Sequence, residues 1–213
     1  SESLDYGTFG TVFHDTMRAL YSSAKVTRQD IEGWLERPDE IRRIVKDQIM
    51  SQLNTFEVSG RNLVVADVIV KYVQKTLQRD IELLAKRGKD HFDILGLEVR
   101  VSGEFHGHKF KGFIDRLDSL EDAEVRVVDY KTGKVLEDDE NITDGNAEEI
   151  ADKVFHPDMK NWPKIALQFY VYDMLVQGRP EVEGRQIFNC VYSTAKLFKD
   201  EPAVVPMNGK FYD

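Results

Sequence analysis

The chain has 213 residues, 41% hydrophobic and 31% charged, with a net charge of −9. That length holds one large domain or a core with a helical elaboration, and no apolar run nears the ~20 residues that span a bilayer. The negative balance argues against nucleic-acid binding by bulk electrostatics. One cysteine, Cys190, excludes an internal disulfide and any four-cysteine cluster or zinc site.

The acid is unevenly placed: residues 137–153 contain eight Asp or Glu and one Lys, which leaves the remainder nearly balanced and a local basic groove open. The chain opens SESLDYG, without a methionine or a signal-peptide core, as a processed, tagged or excised segment would. Cysteine usage points to an intracellular, cytoplasmic setting, and the lack of a spanning apolar run points away from a membrane.

The first ninety residues carry helical signals. Phe9, Val12, Phe13, Met17 and Leu20 recur at helical spacing in GTFGTVFHDTMRALYSS. Thr27 suits an N-cap for QDIEGWLER, and Pro38 suits the first position of a third helix. Residues 61–87 are long, periodic and free of Gly and Pro, which predicts a fourth.

The texture then changes. DILGLEVRVSGEF, HKFKGFIDRLDSL and AEVRVVDYKTG alternate, are rich in Val, Ile and Phe, and are separated by turn residues. They predict three consecutive antiparallel strands. The acidic stretch suits a solvated loop or weak helix. After Asn161 and Pro163, KIALQFYVYDMLVQG predicts a helix stopped at Gly178, and RQIFNCVYST a late strand. No internal repeat or linker divides the chain.

Chemistry concentrates in the strand pair. In VRVVDYKTG the alternation that buries Val125 and Val127 turns Asp129 and Lys131 to the same face. A symmetric turn about residue 121 sets Asp115 opposite residue 127, close to Asp129. Converging carboxylates repel unless a cation lies between them. Hard divalent ions take carboxylate, carbonyl and water oxygens, and a neighbouring lysine can orient a water or neutralise a phosphate.

Gly-x-x-Asp followed by Asp-x-Lys at a strand end resembles the PD-(D/E)XK nuclease superfamily. Within it, GFIDRLD, VVDYKTG and LQFYVYDML look like the RecB/AddB branch, whose members trim DNA in recombination and repair. GTFGTVFHDTM resembles the helix that carries a metal-binding histidine there, LGLEVRV matches its first strand, and Gln168 and Tyr172 match its Gln-x-x-x-Tyr motif. The resemblance covers residues 7–195.

It implies an α/β fold, a restriction-endonuclease-like mixed β-sheet core flanked by helices, with an N-terminal helical region. Residues 1–213 would be one nuclease domain, 1–90 helical and 91–213 the catalytic core. It implies that Asp115, Asp129, His14 and the Tyr130 carbonyl hold Mg²⁺ or Mn²⁺, with Glu98 on a second ion or a water. Lys131 would act on the attacking water, while Gln168 and Tyr172 line the site. The partner would be DNA, single-stranded or at duplex ends. The implied activity is exonuclease or end-processing hydrolysis.

Two departures matter. The motif acid is Asp129 rather than glutamate, and a lone cysteine leaves no iron–sulfur cluster of the kind many relatives carry. No Gly-x-x-x-x-Gly-Lys-Ser/Thr occurs, so unwinding would need a helicase subunit or domain. Other readings are a silent nuclease fold serving as an assembly module, and an RNA nuclease. His106 and His108 suit a hairpin turn rather than a metal pair, and Cys190 suits an inert core.

Overall fold

The computed structural model describes residue 4 and residues 6–105, 107–132 and 164–193. The acidic stretch 137–153, His106 and residues 194–213 lie outside them. The described elements are α1 (Tyr6–Leu20), β1 (Lys25–Thr27), α2 (Arg28–Glu36), α3 (Pro38–Leu53), α4 (Arg61–Lys86), β2 (His91–Phe105), β3 (His108–Ser119), β4 (Glu124–Lys131), α5 (Lys164–Val176) and β5 (Gln186–Ser193).

The helices start and stop where local chemistry directs. Thr27 and Asp30 form a reciprocal capping box at α2: Asp30 N–H donates to Thr27 Oγ1 at 3.0 Å, and Thr27 N–H to Asp30 Oδ2 at 2.9 Å. Pro38 opens α3, and Asn54 ends it in the left-handed region at φ 50. Val12, Phe13 and Met17 of α1 are fully buried with Ile41, Val45 and Ile49 of α3 and Ile69, Val73 and Leu77 of α4. Tyr21 Oη donates to Asp80 at 2.5 Å inside this helical layer.

The strands form a five-stranded sheet in the order β1-β2-β3-β4-β5. β1, which periodicity does not predict, pairs antiparallel with the start of β2, Lys25 opposite Asp93. With three residues it is too short for alternation to register. β3 and β4 are antiparallel. Gln186 N–H donates to Ala123 O at 2.8 Å, so β5 starts at the end where β4 starts and runs parallel to it, as a helical crossover through α5 requires. The result is the expected mixed sheet with flanking helices.

The chain divides into two compact units. The first contains the chain to Ile94, hence α1–α4 and β1, and the end of β4 from Tyr130. The second contains β2 from Leu95, β3, β4 to Asp129, α5 and β5 to Tyr192. Its core joins Val99, Val101, Ile114, Leu117, Val125 and Val127 of the sheet to Phe169 and Val176 of α5.

Candidate active site

In the second unit the β3–β4 ladder pairs Arg116 with Val128, Leu117 with Val127 and Asp118 with Arg126. The turn therefore closes later than symmetry about residue 121 would have it: Leu117, not Asp115, faces Val127. Beyond the Arg116–Val128 pair, the next residue along each strand is a carboxylate, Asp115 on β3 and Asp129 on β4. Ile114 and Leu117 both enter the α5-facing core although strict alternation would separate them. A bulge produces such a break and re-aims the side chains within it, and Asp115 lies in that interval.

α5 places Gln168 beside Asp129 and Tyr172 beside Gln168. Gln168 Nε2 lies 3.4 Å from Asp129 Oδ1 and donates to Tyr172 Oη at 3.2 Å. Spacing of four residues puts both on one helix face, as expected. Tyr172 lies so close to β3 that a Cβ on Gly112 would stand 2.6 Å from its hydroxyl. The glycine of the Gly-x-x-Asp motif thus makes room for the tyrosine. Asp129 itself is only 5% exposed.

In the first unit, His14 of α1 donates from Nε2 to the Tyr130 carbonyl at 2.7 Å. A carbonyl only accepts, so Nε2 carries the proton in this contact. Phe13 packs edge-on against the Tyr130 ring, centroids 5.7 Å apart. Gly10 permits the close approach of α1, since a Cβ there would meet Thr132 Oγ1 at 3.0 Å. Lys131, next in chain, ends β4 half-buried.

Glu98 is exposed on β2 and adopts φ 47, the left-handed region that a non-glycine residue enters at a cost of about 1–3 kcal/mol. Among the described residues, no three His, Cys, Asp or Glu side chains come together as a metal cluster. Sequence reasoning also missed two buried polar groups of the second unit. Asp118 takes Arg126 on both oxygens, Nε at 2.7 Å and Nη2 at 2.8 Å, and accepts Arg116 Nε at 2.6 Å. Burial works to raise its pKa, but the charges of Arg126 and Arg116 outweigh it and hold the carboxyl below its usual range. Their only sequence signal is the even spacing of 116, 118 and 126 along two strands.

Asp173 of α5 accepts Asn189 Nδ2 at 2.8 Å, and burial pushes its pKa up to about 7. Burial likewise pushes the Cys190 thiol up to about 11, which suits the inert core role expected of it.

A five-stranded mixed sheet flanked by helices is consistent with a restriction-endonuclease-like fold. The family model of the PD-(D/E)XK nuclease superfamily matches residues 1–204, and the chain belongs to that superfamily. Its members are generally phosphodiester hydrolases that act on nucleic acid and typically use Mg²⁺ or Mn²⁺. No curated protein matches the chain. Among the described residues, no helix is long and apolar enough to cross a membrane.

Proposed function

We propose that the chain is a divalent-metal-dependent deoxyribonuclease of the RecB/AddB-like branch, a cytoplasmic exonuclease or DNA-end-processing domain of recombination and repair. Residues 1–213 act in it as one catalytic domain. The observation that carries the reading is the β3–β4 register, which makes Asp115 and Asp129 the next residues beyond the Arg116–Val128 pair.

The donor chemistry suits a hard divalent ion: two carboxylates, a backbone carbonyl and an imidazole. His14 Nε2 and the Tyr130 oxygen stand 2.7 Å apart. In this reading Asp115, Asp129, His14 and the Tyr130 carbonyl hold Mg²⁺ or Mn²⁺, and Glu98 serves a second ion or a water. His14 must then move its proton to Nδ1, leaving Nε2 as a ligand.

When bound, the ion stabilises negative charge on the scissile phosphate and the departing 3′-oxygen. Lys131 orients the attacking water and offsets phosphate charge. Gln168 steadies Asp129, and Tyr172 steadies Gln168 and positions DNA. A helicase subunit or domain supplies unwinding. Incubation of the folded protein with single-stranded and duplex DNA should give Mg²⁺- or Mn²⁺-dependent cleavage that EDTA abolishes. No cleavage of any DNA form would overturn the proposal.

One observation favours a second reading: the chain carries a net charge of −9, a poor match for a nucleic-acid substrate. A binding or assembly module within a helicase–nuclease complex would suit that charge. Calorimetry with Mn²⁺ separates the two, because only the nuclease reading requires binding that depends on His14, Asp115 and Asp129.

A further inference from the structure

One face of the β2–β3 hairpin is packed and the other is bare. On β2, Val99 and Val101 enter the second unit's core, and a Cβ on Gly103 would stand 2.3 Å from Leu175 of α5. On β3, Ile114 enters the same core and Gly112 lies under the Tyr172 hydroxyl. These residues turn toward α5. Alternation therefore sends Arg100, Ser102 and Glu104 of β2, with Lys109, Lys111 and Phe113 of β3, to the opposite face. All six are exposed.

β2 ends at Phe105 and β3 begins at His108. β2 and β3 are neighbours in the sheet, so the six residues share one face of it. Three cations and one carboxylate thus share a face of a chain whose net charge is −9. Among the described residues, none of Arg100, Lys109 and Lys111 is held in an ion pair, whereas Arg28, Arg42, Arg43 and Arg79 each are. Phe113, 52% exposed, lies among them. It precedes Asp115 by two residues, about 7 Å of strand.

We propose that this face is a binding site for single-stranded nucleic acid, whose backbone tracks Arg100, Lys109 and Lys111 while a base stacks on Phe113. Resting on the nuclease reading above, it names the form of substrate that the domain takes. Cations beside an open aromatic ring are what a single strand requires, because its bases have free faces. A duplex keeps its bases stacked on one another and offers Phe113 nothing to stack on. A purely acidic partner would use the cations and leave the phenyl ring exposed to water.

The test is fluorescence anisotropy in EDTA, so that nothing is cleaved, with labelled oligothymidylate and a labelled duplex. Phe113→Ala should weaken oligothymidylate binding about tenfold and duplex binding far less. The double variant Lys109→Ala/Lys111→Ala should flatten the log–log salt dependence by about 1.4, at ~0.7 per phosphate contact. All three side chains are exposed, so unchanged thermal melts should accompany these effects.

Wild-type oligothymidylate binding by both variants overturns the site, as does equal loss on duplex and single strand. No oligothymidylate binding at all also overturns it and leaves the face to a protein partner. A chain that cleaves DNA while both variants bind normally loses this site and keeps its function. A folded chain that binds oligothymidylate through these residues yet cleaves nothing keeps the site and loses the nuclease reading.

Discussion

Gln168 reaches from α5 to Asp129 on β4, its Nε2 3.4 Å from the carboxylate Oδ1. The same nitrogen donates to Tyr172 at 3.2 Å, so a neutral amide anchored on its own helix steadies an acid on the sheet. Groups that orient a ligating carboxylate usually matter nearly as much as the ligand. Gln168→Ala should lower Mn²⁺ affinity or cleavage by about 10–100-fold. Titration calorimetry and a nuclease assay read this, and a change under twofold in both would show that Asp129 needs no such support.

Lys131 follows Asp129 by two positions on β4. A group that orients the attacking water contributes to the chemical step rather than to binding. Lys131→Ala should therefore leave DNA affinity nearly intact while cleavage falls by about 10²–10⁴-fold. Full activity in this variant would reassign the site.

Asp118 and Arg126 stand opposite each other in the β3–β4 ladder, both essentially without solvent contact. A slip of two residues would keep the same faces buried, but it would set Asp118 against Glu124 or Val128. The buried pair penalises that slip and so holds Asp115 and Asp129 in their places. Removing one partner leaves a buried charge uncompensated. Asp118→Ala should destabilise the fold by about 3–5 kcal/mol in urea unfolding. A loss below 1 kcal/mol would mean that the valine pattern alone sets the register.

Asp173 holds its proton unusually well because burial disfavours its charge by more than the Asn189 hydrogen bond favours it. Its folded pKa of about 7 lies above the ~3.9 expected in the unfolded chain. Stability from the bound proton is complete below the unfolded value and is lost as pH rises toward 7, by on the order of 4 kcal/mol at most. Asp173→Asn removes the titration. Its melting temperature relative to wild type should therefore rise between pH 5 and pH 8. A constant difference across that range would show that Asp173 stays ionised when folded.

Gly112 and Tyr172 can be tested together. Gly112→Ala places a methyl 2.6 Å from the Tyr172 hydroxyl and 3.1 Å from the ring. Overpacking of this kind costs about 1–3 kcal/mol. Tyr172→Phe deletes the atom in closest contact, so the double variant should be more stable than additivity allows. Strict additivity in thermal or urea unfolding would mean that the ring moves aside freely.

Much of this architecture was legible in the chain, because helix and strand periods are local properties. The apolar residues of α4 recur at helical spacing, VRVVDYK alternates, and Thr27 with Asp30 caps α2 through contacts only three residues apart. The site was legible as chemistry too: acids and a lysine in strand segments, and a glutamine and a tyrosine four residues apart, are visible without coordinates. Tertiary structure decided what depends on distant partners. Asp118 looks like any exposed strand acid until Arg126, eight residues on and one strand over, buries it. Asp173 gains its raised pKa from burial in the core around α5, against the pull of the Asn189 hydrogen bond, and β1 exists only because β2 lies beside it. The two carboxylates of GFIDRLDSLEDAEVRVVDYKTGK suggested a cation, but which residues face each other across these strands depends on their register. Periodicity repeats every two residues along both strands and cannot distinguish one even slip from the next, whereas a buried ion pair can.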